Sequence, residues 1–166
     1  MSRQRPTLKL AGWEIATHLA ATRSVQDDPS YPAYKCKCDW CSRWLRLYAD
    51  VLPPDLLAQF ERIGIQPEHP TDLYKYTSDD SADFVRVVFS IVGRVVKGPD
   101  VWIQDGILGR VRDYQELREK PFLSLAVYRS EDLNYSPPKD FAPATGDFLL
   151  ADFRLAIPFA ISAKMR

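Results

Sequence analysis

The chain of 166 residues has few glycines, few histidines and no surplus of charge of either sign. Seven glycines are too few for an extensive loop that cradles phosphates. Its 22 basic side chains balance 22 acidic ones, so bulk attraction to nucleic acid or to an anionic membrane is not expected. Only His18 and His69 supply imidazole, so a catalytic histidine would have to be one of these two.

Long hydrophobic runs and familiar catalytic motifs are also missing. No stretch of about 18 apolar residues could span a bilayer, and no secretory signal is recognisable. The sequence contains no P-loop, no G-x-G-x-x-G, no G-x-S-x-G and no H-E-x-x-H. The missing signal together with an odd number of cysteines predicts a reducing compartment, by default the cytoplasm, and the missing apolar runs predict no membrane association. The missing catalytic motifs make an enzyme less expected.

The order of sequence patterns predicts an α+β fold. Amphipathic or capped segments indicate helices at about residues 7–23, 41–50 and 55–63. Runs rich in β-branched residues indicate strands at 84–96, 122–128 and 148–159. We therefore expect one domain over residues 1–166, in which a helical part (about 1–70) precedes a mainly antiparallel sheet (about 71–166).

Three details of the sheet part are also predicted. Asp105-Gly106 is typical of a two-residue hairpin turn. Residues 114–120 are charged and indicate a short helix or loop. In the last strand one face is apolar, and we expect the opposite face, which carries Asp152 and Arg154, to be partly exposed to water.

All three cysteines lie within six residues, as Cys36-Lys37-Cys38-Asp39-Trp40-Cys41. A C-x-x-C pair at the start of a helix directs two sulfurs toward one ion, and Cys36 could add a third. Zinc prefers four tetrahedral thiolate and imidazole ligands, so the cluster predicts a zinc site. His69 is the candidate fourth ligand, with His18 or water as alternatives.

Other interpretations of the cysteines remain open at this point. Free cysteines are often buried as small apolar side chains. Cys38 and Cys41 could instead form a redox pair resolved by Cys36, or an open metal position could make the site catalytic. The cluster is thus more specific for a metal than for a reaction.

Basic and aromatic side chains alternate around the cysteines. Trp40, Arg43 and Trp44 form a candidate binding surface of the kind that holds single-stranded nucleic acid by stacking and phosphate contacts. The alternative is that the tryptophans belong to the core and the charges to the solvated face of the same helix. The zero net charge favours this alternative, so nucleic acid is not the expected partner.

Several segments resemble a family of small uncharacterised bacterial cytoplasmic proteins. These segments are Cys36-x-Cys38-x-x-Cys41, Leu52-Pro53-Pro54-x-Leu56-Leu57, Ile63-Gly64-Ile65, Leu73-Tyr74 and Asp152-Phe153-Arg154-Leu155-x-Ile157-Pro158-Phe159. The resemblance implies a bacterial cytoplasmic protein and adds no mechanism. The combined prediction is a non-enzymatic protein with a structural zinc site that binds a protein partner, for instance as an immunity factor.

Overall fold

The computed structural model describes residues 5–130 and 135–163 of the expected 1–166 domain, and these form an antiparallel sheet with packed helices. The strands are β1 (Thr7–Leu10), β2 (Trp13–Thr17), β3 (Asp72–Ser78), β4 (Ala82–Lys97), β5 (Trp102–Asp105), β6 (Gly109–Arg112), β7 (Gln115–Arg118), β8 (Leu123–Arg129) and β9 (Asp147–Pro158). The helices are α1 (Leu19–Gln26), α2 (Asp39–Val51), α3 (Pro54–Ile63) and α4 (Phe159–Ala163).

Seven strands form the main sheet, in the order β1-β2-β4-β9-β8-β7 with β3 beside β4. The long strand β4 pairs with β9 along most of one edge, while its other edge pairs first with β3 and then with β2. Strands β5 and β6 form a separate hairpin. The predicted α+β class with a mainly antiparallel sheet is confirmed, although two strands precede the first helix.

The helix expected at residues 7–23 is wrong, because a β-hairpin occupies most of this segment. Ala11 and Gly12 have positive φ angles of 49° and 87°, which turn β1 back along β2. Within the hairpin, Leu8, Trp13 and Ile15 are buried. The spacing of Leu8 and Ile15 imitates a helical repeat, but a tight turn between them places both side chains on one face of a hairpin.

Helix α1 fills the gap that β2 and β3 leave along the edge of β4. The buried Thr22 hydroxyl donates to the carbonyl oxygen of Val92 (3.3 Å) and accepts from its N–H (3.1 Å). Gln26 Nε2 donates to the carbonyl oxygen of Ser90 at 2.9 Å. Two helical side chains thus satisfy backbone groups that a neighbouring strand would otherwise pair.

Helices α2 and α3 and the long strands β4, β8 and β9 follow the predictions closely. Helices α2 and α3 confirm the segments at 41–50 and 55–63, and α3 ends at Gly64 in the left-handed conformation. Phe60 of α3 is fully buried and packs edge-on against Phe89 of β4 and Phe153 of β9. In the described part of the chain, no helix is long and apolar enough to cross a membrane.

Two further short strands and the short helix α4 are not predicted, and one turn is predicted with the wrong length. Strand β3 has no counterpart in the sequence analysis, and β7 occupies the segment expected as a helix or loop. Both are edge strands with many accessible side chains, so they lack the apolar alternation that signals a half-buried strand. The β5–β6 loop has three residues, 106–108, because Asp105 accepts hydrogen bonds from the N–H groups of Ile107 and Leu108.

Candidate functional site

The three cysteine sulfurs lie together where an irregular segment enters helix α2. Cys38 is the N-cap residue, and its Sγ accepts the N–H of Cys41 at 3.4 Å. The N–H of Cys38 in turn lies 3.5 Å from the Sγ of Cys36. All three Sγ atoms lie within 4.8 Å of one another, close enough to hold a metal ion.

The three thiols differ in their surroundings. Cys36 and Cys38 are exposed, whereas Cys41 is buried. The N–H of Cys41, followed by the side chain of Cys36, lowers the pKa of Cys38. Burial, followed by the hydrogen bonds of its two neighbours, raises the pKa of Cys41. The accessible Cys38 thiol therefore loses its proton more readily than an ordinary cysteine, and the buried Cys41 thiol loses it less readily.

Neither His18 nor His69 belongs to the group of candidate metal ligands formed by the three sulfurs. His69 Nδ1 lies 2.8 Å from the Asp27 carboxylate, and the His69 ring packs near that of Tyr34. His18 caps α1, because its Nδ1 accepts the N–H of Ala21. Within residues 5–130 and 135–163, the group of candidate metal ligands consists of the three sulfurs. The assignment of His69 as the fourth ligand remains a prediction.

The loop that carries His69 is nevertheless fixed against the cysteine helix. Trp44, one turn after Cys41, donates its indole N–H to the carbonyl oxygen of Pro67 at 2.7 Å. The N–H of Gln66 donates to Gln26 Oε1 of α1, also at 2.7 Å. The start of α2, the His69 loop and α1 are thereby joined by direct hydrogen bonds.

The predicted binding surface of Trp40, Arg43 and Trp44 is only partly accessible. Trp44 is 2% exposed, so its indole packs in the core and donates its N–H to the Pro67 loop rather than to a ligand. The Arg43 guanidinium lies 5.0 Å from the Trp40 ring centroid, and its Nε lies 3.0 Å from a carboxylate oxygen of Asp39. Trp40 and Arg43 remain as the accessible members, and a carboxylate offsets the charge of Arg43.

Sequence reasoning missed a buried polar cluster centred on Asp152. The expectation that this face of β9 is partly exposed is wrong at Asp152, which is fully buried. Its carboxylate accepts two hydrogen bonds from Arg86, at 2.9 and 2.6 Å, and one each from the hydroxyls of Tyr128 (2.5 Å) and Tyr114 (2.8 Å). We call these four residues the Asp152 cluster.

The electrostatics of the Asp152 cluster favour a charged pair with neutral tyrosines. Burial opposes the charge of Arg86, but the hydrogen bonds and charge of Asp152 outweigh it and raise the pKa of the guanidinium. Burial and then the negative charge of Asp152 raise the pKa of Tyr114 to about 12 and that of Tyr128 further. Both tyrosines consequently remain hydrogen-bond donors at neutral pH.

A sequence signal for this cluster exists, although it is incomplete. Arg86 interrupts a β-branched run and Asp152 interrupts an apolar one, and a charged residue inside a buried strand needs a partner. The partner depends on strand register, which places Val88 opposite Asp152 and Arg86 opposite Arg154. The register between distant strands cannot be derived from one sequence. The sequence therefore identifies Arg86 and Asp152 as unusual but does not show that they bind each other.

Comparison with known proteins adds no further information. No protein-family model, no curated protein and no solved structure gives a significant match to this chain.

Proposed function

We propose that this is a non-enzymatic binding protein in which Cys36, Cys38 and Cys41 hold a structural zinc ion. The observation that carries the proposal is the convergence of three sulfurs within 4.8 Å at the start of α2. Tetrahedral zinc with Zn–S bonds of about 2.3 Å needs sulfurs roughly 3.8 Å apart. Small side-chain rotations would close the observed spacing, and thiolate sulfur is a ligand that zinc prefers.

His69 is the proposed fourth ligand. Its Nδ1 is held by Asp27 at 2.8 Å, so the carboxylate favours a proton on Nδ1 and leaves the lone pair on Nε2. This is the arrangement in which zinc-bound histidines are usually oriented. Zinc bound in this way would join α2 to the loop before β3, and metal-binding energy would then contribute to folding.

The resemblance noted above extends the proposal to a bacterial cytoplasmic protein with a protein partner, as an immunity factor would have. A reducing compartment suits this proposal, because thiols that bind zinc must not be oxidised to disulfides. The absence of familiar catalytic motifs supports a binding role over an enzymatic one.

The test is elemental analysis of untagged protein, combined with thiol titration and thermal melting before and after chelation. One zinc per chain with thiols masked until chelation supports the site. Cys38→Ser is an informative variant because serine can still cap α2, so its stability loss reports the metal rather than the cap. Unchanged melting of this variant relative to wild type, with zinc and after chelation, refutes the structural zinc site. His69→Ala then tests the fourth ligand separately.

Thiol–disulfide exchange is a second candidate function, favoured by one specific observation. Cys38 is exposed with a lowered pKa, and Cys41 three residues later is buried with a raised pKa. This asymmetry is typical of C-x-x-C redox pairs, in which the accessible thiolate attacks and the inner thiol resolves. Metal-free protein with a reversible two-electron reduction potential would favour this function over the zinc site.

A further inference from the structure

The face of the sheet that carries the Asp152 cluster also borders a cavity rich in arginine. Phe153 contacts α3, so the neighbouring side chains Asp152 and Arg154 point to the opposite face of the sheet. Beside Arg154 lies a cavity of about 570 Å³, within the usual range of small-molecule sites. Its walls include Trp102, Asp105, Leu108, Arg110, Arg112 and Arg154. We call it the arginine cavity.

Arg154 contributes a guanidinium group with unused hydrogen-bonding capacity. The group lies 4.2 Å from the ring centroid of Tyr114 and 5.5 Å from that of Tyr76, so two aromatic rings fix its position. Its Nε is buried without a hydrogen-bond partner. No carboxylate of the described residues lies within ion-pair distance of this side chain. Among the described residues, no acceptor is hydrogen-bonded to its terminal Nη groups, so an oxyanion in the cavity would accept from these groups.

Arg112 supplies a second cation in the same wall. Its Nη1 donates to the Tyr128 hydroxyl at 3.1 Å, and its guanidinium lies 5.2 Å from that ring's centroid. The distance from Nη1 to Asp152 is 3.8 Å, whereas Arg86 already makes two close hydrogen bonds to this carboxylate. Arg86 and Arg112 therefore share one carboxylate, which leaves a net positive charge of one among these three side chains.

The positive charge of the cavity wall favours a phosphate over a carboxylate as the bound anion. The lining contains three arginines and one aspartate, in a chain whose overall net charge is zero. The aspartate, Asp105, already accepts the N–H groups of the hairpin loop. A phosphate monoester carries a charge near −2 at neutral pH and offers three acceptor oxygens, whereas a carboxylate carries −1. Rigid, stacked guanidinium groups also suit phosphate geometry.

We propose that the arginine cavity binds the phosphate group of a small phosphorylated molecule, with Arg112 and Arg154 as its principal ligands. The cavity exceeds the size of a bare phosphate ion, and Trp102 and Leu108 provide apolar surface for the rest of the molecule. The cysteine cluster contributes no residue to this site, so the proposal does not depend on zinc.

Isothermal titration at low salt with phenyl phosphate, inorganic phosphate and benzoate tests the proposal. We expect saturable, salt-sensitive binding of the phosphate probes, about tenfold or more tighter than that of benzoate. Tighter binding of phenyl phosphate identifies a phosphate monoester as the ligand, and equal binding of the two phosphates identifies free phosphate. No saturable binding of either phosphate, or equal affinity for benzoate, overturns the proposal.

Matched variants locate the binding. Arg154→Gln and Arg112→Gln should each weaken phosphate binding about tenfold or more. Arg94→Gln removes the same charge from an exposed position of β4, eight residues and thus roughly 25 Å along the strand from Arg86, and should leave affinity unchanged. If the first two variants fold poorly, Arg110→Gln changes an exposed wall residue and should still weaken binding. Undiminished affinity in a folded Arg154→Gln or Arg110→Gln protein contradicts the assignment.

Discussion

Substituting Asp152 by asparagine is the sharpest test of how the fold is held together. The exchange preserves the size of the side chain and removes its charge. Asp152 accepts four hydrogen bonds in a fully buried position, and two of them come from Arg86. Asparagine has one acceptor oxygen, and its NH2 group would face donors of Arg86 or the tyrosines.

The expected loss of stability is large because Arg86 would remain buried without its counter-charge. The Arg86 side chain is 7% exposed, so water cannot replace the carboxylate. Breaking one side of a buried ion pair typically costs about 3–5 kcal/mol in the free energy of unfolding. For a chain of this length, each kcal/mol corresponds to about 2–4 °C in melting temperature. Asp152→Asn should therefore lower the melting temperature by roughly 6–20 °C.

Urea denaturation monitored by circular dichroism measures the loss directly. Asp147→Asn is the matched control, because the same substitution on the same strand breaks an exposed contact of 3.4 Å with Arg129. Exposed ion pairs contribute about 0–1 kcal/mol, so the control should stay close to wild type. If Asp152→Asn loses no more stability than Asp147→Asn, the buried ion pair does not have the energetic role assigned to it.

Two other backbone features give separate predictions. Thr22→Val should lower the free energy of unfolding by about 1–3 kcal/mol, since it removes the acceptor of the buried Val92 N–H. The Val92 carbonyl oxygen keeps the N–H of His18 at 2.8 Å as a donor. Hydrogen exchange of the Val92 amide should accelerate in this variant, while Thr22→Ser, which keeps the hydroxyl, should retain most of the protection. Gly64→Ala should cost about 1–2 kcal/mol or more in urea denaturation, because φ is +91° and the new Cβ would lie 2.7 Å from the Leu19 carbonyl oxygen. Wild-type stability of Gly64→Ala would show that the α3–α1 contact relaxes freely.

The elements that could be predicted from sequence are those whose signals are local. Helix α3 lies between a proline pair and Gly64, and β4 is a long β-branched run, so each carries its own boundaries. The N-terminal hairpin is not predictable in this way, because its four- and five-residue strands are too short to establish a period of two. The role of α1 as a substitute strand depends on tertiary contacts, which no local pattern encodes.

Of the two candidate sites, the cysteine cluster has a local sequence signal and the Asp152 cluster depends on tertiary contacts. The cysteine cluster is predictable because all three sulfurs lie within six residues of chain, and helix capping brings them together. The Asp152 cluster joins β4, β8, β9 and the residue before β7, with up to 66 residues between bonded partners. Sequence marks Arg86 and Asp152 as unusual for apolar strands, but only strand order makes them neighbours.

The Asp152 cluster is better explained by positioning than by stability. A buried ion pair can often be replaced by apolar side chains without loss of stability, so stability alone does not account for a charged pair inside this sheet. Asp152 does bond the hydroxyls of Tyr114 and Tyr128, and these rings carry the guanidinium groups of Arg154 and Arg112. The buried carboxylate thus fixes the aromatic supports of both principal cavity arginines. Apolar replacements would fill the same volume but would leave these rings, and the cations above them, without defined positions.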